Sequence, residues 1–409
     1  RRSDACAVAR IPLKATSESQ LLQTFCALQM VLSEHAAFWR RSPFHHPMPD
    51  WAMEHPALVE ALLALPQDAV ARLSQDNQQL WDWLRPWLPT LSPLSSLCEV
   101  PGRSAAASGP ERFFTHVSGG KRAQVESFAA AVVEAGTSGR PWIEWCAGKG
   151  HLGRWLGHQT GLDVLSVEWS SALCASGRAL AARSGVAQVF ECMDVHSDAV
   201  CSRLSDRHAV ALHACGDLHR RLIQLWDAHD GRALDFVPCC YDRTQEEVYR
   251  GLNPEAELAP DRLALRLAVT DMRAGRRREH VRCRRELGWK LAYKQLRAQY
   301  AGIDVSTPLA SVPRSWAQLS FPDWCRSMAH RDGFKLPAAT NYPLWARKGE
   351  SLRYRFERIN LPRLAFRRGL EMWLVLDLAL HLSRRGHRVS VSAFCSDRIT
   401  PRNLMISAR

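Results

Sequence analysis

The most constraining feature of this chain is an apolar run, Trp142-Ile143-Glu144-Trp145, that passes directly into Cys146-Ala147-Gly148-Lys149-Gly150 and then into a helix beginning near His151. Strand, glycine turn and helix start in that order let backbone N–H groups and a helix N-terminus approach one point closely, where a ligand can lie against the main chain. A side chain at Gly148 or Gly150 would fill that space, and glycine accepts turn dihedrals closed to other residues. Gly148-Lys149-Gly150-His151-Leu152-Gly153 also satisfies the GxGxxG pattern of dinucleotide-binding enzymes, so the turn alone leaves an NAD-dependent oxidoreductase as a rival.

The same unit then repeats. Short apolar segments at 142–146, 163–168, 187–192, 208–214 and 234–238 alternate with helix-like segments. That alternation predicts an α/β architecture, a doubly wound, mostly parallel Rossmann-like sheet covered on both faces. Before it, helix-spaced apolar positions in 21–28 and 57–63 predict a helical region over 1–100, with the Pro/Ser/Gly-rich 91–110 as a linker and a helix from Arg122 to Val133 leading into the sheet. After it, 243–361 breaks the alternation. An amphipathic helix over 361–385, closed by Gly386, and two strands at 388–394 and 404–407 then form a closing antiparallel hairpin. The expected divisions are therefore 1–110, 111–242, 243–361 and 362–409.

Three acids stand at three successive strand ends. Glu144 interrupts an apolar strand where a carboxylate can face the amino group of a methionine moiety, a place where a pyrophosphate has no use for an anion. Glu168 ends the second strand, where an acid accepts ribose hydroxyls. Asp194 follows the third and can accept from an adenine amino group. Together they favour S-adenosylmethionine over NAD, with Glu144, Cys146, Ala147, Gly148, Lys149, Gly150, Glu168, Asp194 and His213 as the expected cofactor contacts.

The fourth and fifth strands end in His213-Ala214-Cys215-Gly216-Asp217-Leu218 and Pro238-Cys239-Cys240-Tyr241-Asp242. Ligands of doubly wound sheets lie beyond such carboxyl ends. The favoured account is a tight pocket floor, with Pro238 stiffening the strand exit and Tyr241 stacking on or shielding the acceptor. Asp217 and Asp242, beside His213 and Tyr241, would orient the acceptor group or take its proton. One alternative makes His213, Cys215, Cys239 and Cys240 zinc ligands; adjacent cysteines rarely reach one metal, so no metal is expected. Another makes Cys239 or Cys240 a nucleophile towards a pyrimidine ring.

Ala147-Gly148-Lys149-Gly150-His151-Leu152, the His-x-Cys-Gly-Asp-Leu segment, the Cys-Cys-Tyr segment and Thr400-Pro401-Arg402-Asn403-Leu404 together resemble one family of class I S-adenosylmethionine-dependent methyltransferase domains. That family includes the domain of glutathione-S-transferase C-terminal-domain-containing and rRNA adenine dimethylase domain-containing proteins. More distantly, the motifs resemble the tRNA acceptor-stem ribose methyltransferase. Ser118-Gly119-Gly120-Lys121-Arg122 is similar to the short basic segment before the first strand in these proteins. The resemblance covers 112–242 and 362–409. It departs at Cys146, where many such enzymes carry the first glycine, which implies a wider turn.

Charge points to a partner. Residues 1–242 hold 22 Lys+Arg against 25 Asp+Glu, and 243–409 hold 32 against 16, so the excess behind the net +13 lies entirely in the second part. Arg273, Arg276, Arg277, Arg278, Arg282, Arg284 and Arg285 are followed by Lys290, Lys294 and Arg297, with Trp289, Tyr293 and Tyr300 interleaved. Guanidinium groups pair with phosphates and aromatic faces with unpaired bases, so Arg276, Arg277, Arg278, Arg282, Arg284, Arg285, Lys290 and Lys294 are the expected RNA contacts. Thirteen cysteines without a CxxC pair, no secretory segment and no apolar run of roughly 18 residues predict a cytoplasmic protein with reduced thiols. The expected activity is methyl transfer to structured RNA, rRNA or tRNA. A protein acceptor, or an RNA-binding protein with a vestigial cofactor pocket, are the alternatives.

Overall fold

A computed structural model describes residues 16–102, 109–115, 117–229, 231–270 and 277–409. Its centre is one seven-stranded sheet of β1 (Trp142–Trp145), β2 (Val164–Glu168), β3 (Gln188–Cys192), β4 (His208–Cys215), β5 (Ala233–Cys239), β6 (Val389–Ala393) and β7 (Leu404–Ala408), in the order β3-β2-β1-β4-β5-β7-β6. The first five pair in parallel, and β7 runs antiparallel to both β5 and β6. This is the expected mostly parallel Rossmann-like sheet with an antiparallel closing pair. Strands β1, β2 and β5 are buried along their whole length, as strands covered on both faces must be. The chain winds outward from β1 to β3 and returns to β4 on the other side of β1. That reversal opens a crevice at the carboxyl ends of β1 and β4.

The sheet is held by the helices Gly119–Glu134 and His151–Thr160, whose Phe128, Val132, Leu152 and Leu156 share a core with Trp142, Val210, Val237 and Met405. Two readings of local structure change. Within 91–110 a short helix, Pro93–Leu97, forms because proline is tolerated in a first helical turn, where its missing N–H costs nothing. The helix expected over 361–385 is two helices, Leu361–Leu364 and Arg367–Arg384. At the break, Ala365 and Phe366 donate to carbonyls three residues back, tightening the turn.

The chain divides into two compact units. One comprises 16–29, Cys98–Ala259 and Met372–Arg409 and contains the sheet. Within it, buried Asp377 accepts from Tyr249 Oη (2.8 Å), Leu252 N (2.9 Å), Asn253 N (3.2 Å) and Asn253 Nδ2 (2.8 Å), pinning the segment that follows β5. The other comprises Met30–Leu97 and Pro260–Glu371 and is helical. Its grouping differs from the four-segment division because early and late helices share partners: Trp81 Nε1 donates to Ala365 O at 2.8 Å and Arg363 Nε to Trp39 O at 2.9 Å. Helices Arg277–Ala301 and Tyr342–Ile359 approach so closely at Gly288 and Gly349 that a Cβ on Gly349 would lie 2.4 Å from Gly288 O. No described helix is long and apolar enough to cross a membrane.

Candidate functional site

A cleft of about 350 Å³ lies beyond the carboxyl ends of β1, β2 and β3, with Cys146, Glu168, Trp169, Asp194, His196 and Leu218 among its walls. Its geometry begins in the turn after β1. Cys146, Gly148 and Gly150 all adopt left-handed dihedrals, φ +54°, +59° and +65°. Cys146 thus takes the conformation a glycine would use, at roughly 1–2 kcal/mol for a residue with a Cβ. Burial, with the Glu168 charge adding, pushes its thiol up to about 12, so it is a neutral wall.

The two turn glycines do different things. A Cβ on Gly148 would meet no atom within 4 Å, which leaves open space above the turn. One on Gly150 would strike Gln188 Nε2 and Phe190 Cζ at 2.4 Å. Gly150 is therefore required by the protein's own packing, a correction to the expectation that both make room for a ligand. Glu168 braces the turn: Gly148 N donates to its Oε2 at 2.8 Å and Ser170 N to its Oε1 at 3.0 Å. Exposed Asp194 accepts from His196 N at 3.0 Å. Ala147 N donates to Val167 O at 2.9 Å, and the Lys149 side chain is exposed.

Glu144 is placed differently from the expectation. Its carboxylate accepts from Ser166 Oγ at 2.8 Å and from the Gly153 backbone, beneath the start of helix His151–Thr160. Ser166 in turn accepts from Gln188 Nε2 at 2.9 Å. Burial pushes the Glu144 carboxyl up to about 7 against the pull of these donors and of Arg154. Its partners are protein groups, and the cleft acids are Glu168 and Asp194.

At the other end of the crevice, His213 sits at a bulge in β4 with φ +74°. Its Nε2 lies 2.7 Å from Gln124 Oε1, which fixes the proton on Nε2 and leaves Nδ1 as an acceptor. Burial, with Lys121 and Arg402 nearby, pushes the imidazole down to about 4, so it is neutral at physiological pH. Asp217 begins the helix Asp217–Ala228, and its Oδ2 accepts from Gln245 N at 2.9 Å. Tyr241 is 3% exposed, with its ring edge-on to His219 and its hydroxyl donating to Pro238 O at 3.4 Å. Its ring is buried inside the protein, which leaves little face open for stacking. Asp242 is half-buried just beyond it.

The cysteines of β4 and β5 converge. The Sγ atoms of Cys215, Cys239 and Cys240 lie within 4.8 Å of one another, Cys215 and Cys239 at 3.5 Å. Thiol donors from Cys215 and Cys239, with Arg402 and Arg243 nearby, hold Cys240 well below the usual thiol range, while Cys239 is raised. His213 is not part of the trio.

Of the expected RNA contacts, Arg282, Arg284 and Arg285 are exposed and Lys290 is half-buried. Arg273 and Arg276 lie outside the described residues, as do the side chains of Arg277 and Arg278. Arg284 pairs with Glu357 at 3.1 Å and Arg285 donates to Ala317 O at 2.8 Å. Lys294 is corrected outright. It is 2% exposed, its Nζ donates to Phe44 O at 2.8 Å, and burial pushes its ammonium down to about 8. The neighbouring Arg297 is equally buried against Asp332. Arg282 pairs with nearby Glu286 at 3.6 Å, while the partners of Arg284, Arg285 and Lys294 lie far along the chain. The sequence reading missed Trp169, 78% exposed at the cleft, and Gln124 and Lys121 near His213. An aromatic directly after a strand-end acid was the available signal for the first; the other two had only their place in the basic segment before β1.

A family model described as a methyltransferase domain matches residues 120–247. Among solved structures, the crystal structure of Pyrococcus abyssi tRNA (uracil-54, C5)-methyltransferase in complex with S-adenosyl-L-homocysteine is similar at 18% identity, covering 29% of this chain and 29% of that one, with a TM-score of 0.24. No curated protein matches the chain.

Proposed function

We propose that the sheet unit is an S-adenosylmethionine-dependent methyltransferase whose acceptor is structured RNA, rRNA or tRNA. The methyltransferase-domain match over 120–247 supports the reaction class. The observation that carries the cofactor is the charge of the cleft: Glu168 and Asp194 line it, and among the described residues no lysine or arginine does. Such walls favour a ligand with positive sulfonium and ammonium groups and disfavour a pyrophosphate. The donor supplies an electrophilic methyl group. Glu168, after accepting from Gly148 and Ser170, keeps a lone pair on each oxygen for the two ribose hydroxyls. Trp169 offers an aromatic face for the adenine, and Gly148 leaves room over the turn. Neutral His213, with Nδ1 free to accept, and Asp217 are the groups placed to take or orient an acceptor proton.

RNA as acceptor rests on the charge of 243–409, with Arg282, Arg284, Arg285 and Lys290 among its accessible described cations. Calorimetric titration with S-adenosylmethionine and with NAD tests the cofactor. Binding of the first is expected, weakened about 10- to 150-fold in Glu168→Ala by loss of charge-assisted hydrogen bonds worth about 1.5–3 kcal/mol. Binding of NAD alone would overturn the proposal. Mass spectrometry of nucleosides in rRNA and tRNA from cells with and without the gene tests the acceptor. An unchanged RNA profile would overturn RNA as the acceptor and favour a protein acceptor.

A further inference from the structure

Two departures from regular strand geometry meet at one point. Successive residues of a strand point to opposite faces, so adjacent cysteines should diverge. Cys239 is the last residue of β5, and Cys240, directly after it, has φ +48°. That left-handed residue folds the chain back, and both sulfur atoms end within 4.8 Å of each other. The strain, roughly 1–2 kcal/mol for a residue with a Cβ, persists only where the surroundings impose it. On β4, the bulge at Leu212/Ala214 re-aims the strand's last residues. Cys215 thereby becomes the register partner of Cys239, with its sulfur 3.5 Å away.

We propose that Cys215, Cys239 and Cys240 form a zinc site with three thiolate ligands. Tetrahedral zinc with Zn–S bonds of about 2.3 Å places its sulfur atoms about 3.8 Å apart, close to the 3.5 Å between Cys215 and Cys239 and inside the 4.8 Å that spans all three. All three donors are soft sulfur, which selects Zn²⁺ over Mg²⁺ or Ca²⁺. None of the three is in a disulfide. Cys240 already carries its charge, so binding releases the protons of Cys215 and Cys239 and leaves a complex of charge −1, beside Arg243 and Arg402, which stand near Cys240. Three protein ligands leave the fourth position to a water molecule or to a heteroatom of an incoming ligand, the pattern of an open site. The site lies at the carboxyl end of the sheet, where Cys146 of the cleft wall is within electrostatic reach of Cys215. It depends on the cysteine geometry alone, whether or not the cleft takes a methyl donor.

The test is metal content of the full chain, purified from zinc-supplemented cells without chelator, by inductively coupled plasma mass spectrometry. One equivalent of zinc per chain is expected. Cys215→Ser and Cys240→Ser should each lower zinc affinity by more than the roughly 10- to 100-fold that outer-shell losses cost. Cys283→Ser, at an exposed thiol of the helical unit, should change nothing. Replacing zinc by Co²⁺ should give the absorption of a tetrahedral thiolate site, whatever the fate of the serine variants. A chain that purifies without zinc and takes up none from a zinc buffer overturns the proposal. So does zinc that survives in both variants, or a Cys215–Cys239 disulfide in zinc-replete protein.

Discussion

The two units place most of their charges differently, although Arg154 of the sheet unit is buried too. In the sheet unit, acids at strand ends are left facing a cleft, and the backbone is strained to shape it: Cys146, His213 and Cys240, three of the five left-handed non-glycine residues described, fall at or beside the ends of β1, β4 and β5. In the helical unit, cations are drawn inward. Lys294, Arg297, Arg353 and Arg363 are each 6% exposed or less. A basic stretch of sequence is therefore not by itself a basic surface. What decides is whether carbonyls and acids elsewhere in the chain reach it first.

The contrast breaks first on stability. Asp377→Ala removes the acceptor of four donors in the sheet unit, while Arg353→Ala takes one cation from Glu357, which keeps Arg284 and Gln67, and from half-exposed Glu350. The first is expected to cost about 3–5 kcal/mol, the usual penalty for breaking a buried charged network, and the second about 1–3 kcal/mol. Urea denaturation should show this beside Arg282→Ala, at an exposed arginine, which should stay within about 0.5 kcal/mol of the parent. If Arg353→Ala were equally silent, the inward-drawn cations would have no structural role.

Acid separates the units next. His151, His213 and His219, all in the sheet unit, are pushed down to about 4, chiefly by burial. Between pH 4 and the ordinary 6.5 the unfolded chain binds more protons than the folded one, so stability is full above about 6.5 and declines as pH falls towards 4. Glu144, raised to about 7, acts in the opposite sense between 4.5 and 7. Denaturation midpoints at pH 7 and pH 5 should thus draw closer in His219→Gln and further apart in Glu144→Gln.

The turn after β1 gives a smaller effect. Gly150→Ala forces a Cβ against Gln188 and Phe190 at φ +65° and should lose roughly 1–3 kcal/mol. Gly148→Ala meets no atom, so only the left-handed strain of about 1 kcal/mol remains. Its larger effect should be on S-adenosylmethionine affinity. Equal stability losses with unchanged binding would show that neither glycine serves a ligand.

Smallest is the effect on RNA. Arg285→Ala should flatten the salt dependence of RNA binding by about one unit if its guanidinium contacts a phosphate. Lys294→Met should leave affinity and slope unchanged, because that ammonium is already committed to Phe44 O. Loss of affinity in the methionine variant alone would reverse the assignment of the helical unit's charges.

Strands β1, β2 and β5 were legible because a strand covered on both faces must be mostly apolar, as 142–145 and 233–239 are apart from Glu144 and Asp235. Glu168 and Asp194 were legible as a pair because strand ends on one side of a parallel sheet share a crevice. What escaped depends on single contacts or single dihedrals. Tyr241 turns inward towards Pro238 O, Lys294 finds a carbonyl at Phe44, and Glu144 is taken by Ser166 and Gly153. The meeting of Cys239 with Cys240 hangs on one φ angle, which no spacing rule encodes.

The position of β7 bears on how the molecule is made. It lies between β5 and β6, yet all of 240–403 is synthesised between β5 and β7. While a ribosome extends the chain, the flank of β5 that will pair with β7 has no strand beside it, and Met405 is missing from the core around Phe128 and Val237. A bare strand edge of this kind is a template for pairing with other nascent chains, and a long gap between partners slows closure. The half-finished sheet therefore keeps that edge open for the whole time needed to translate 240–403.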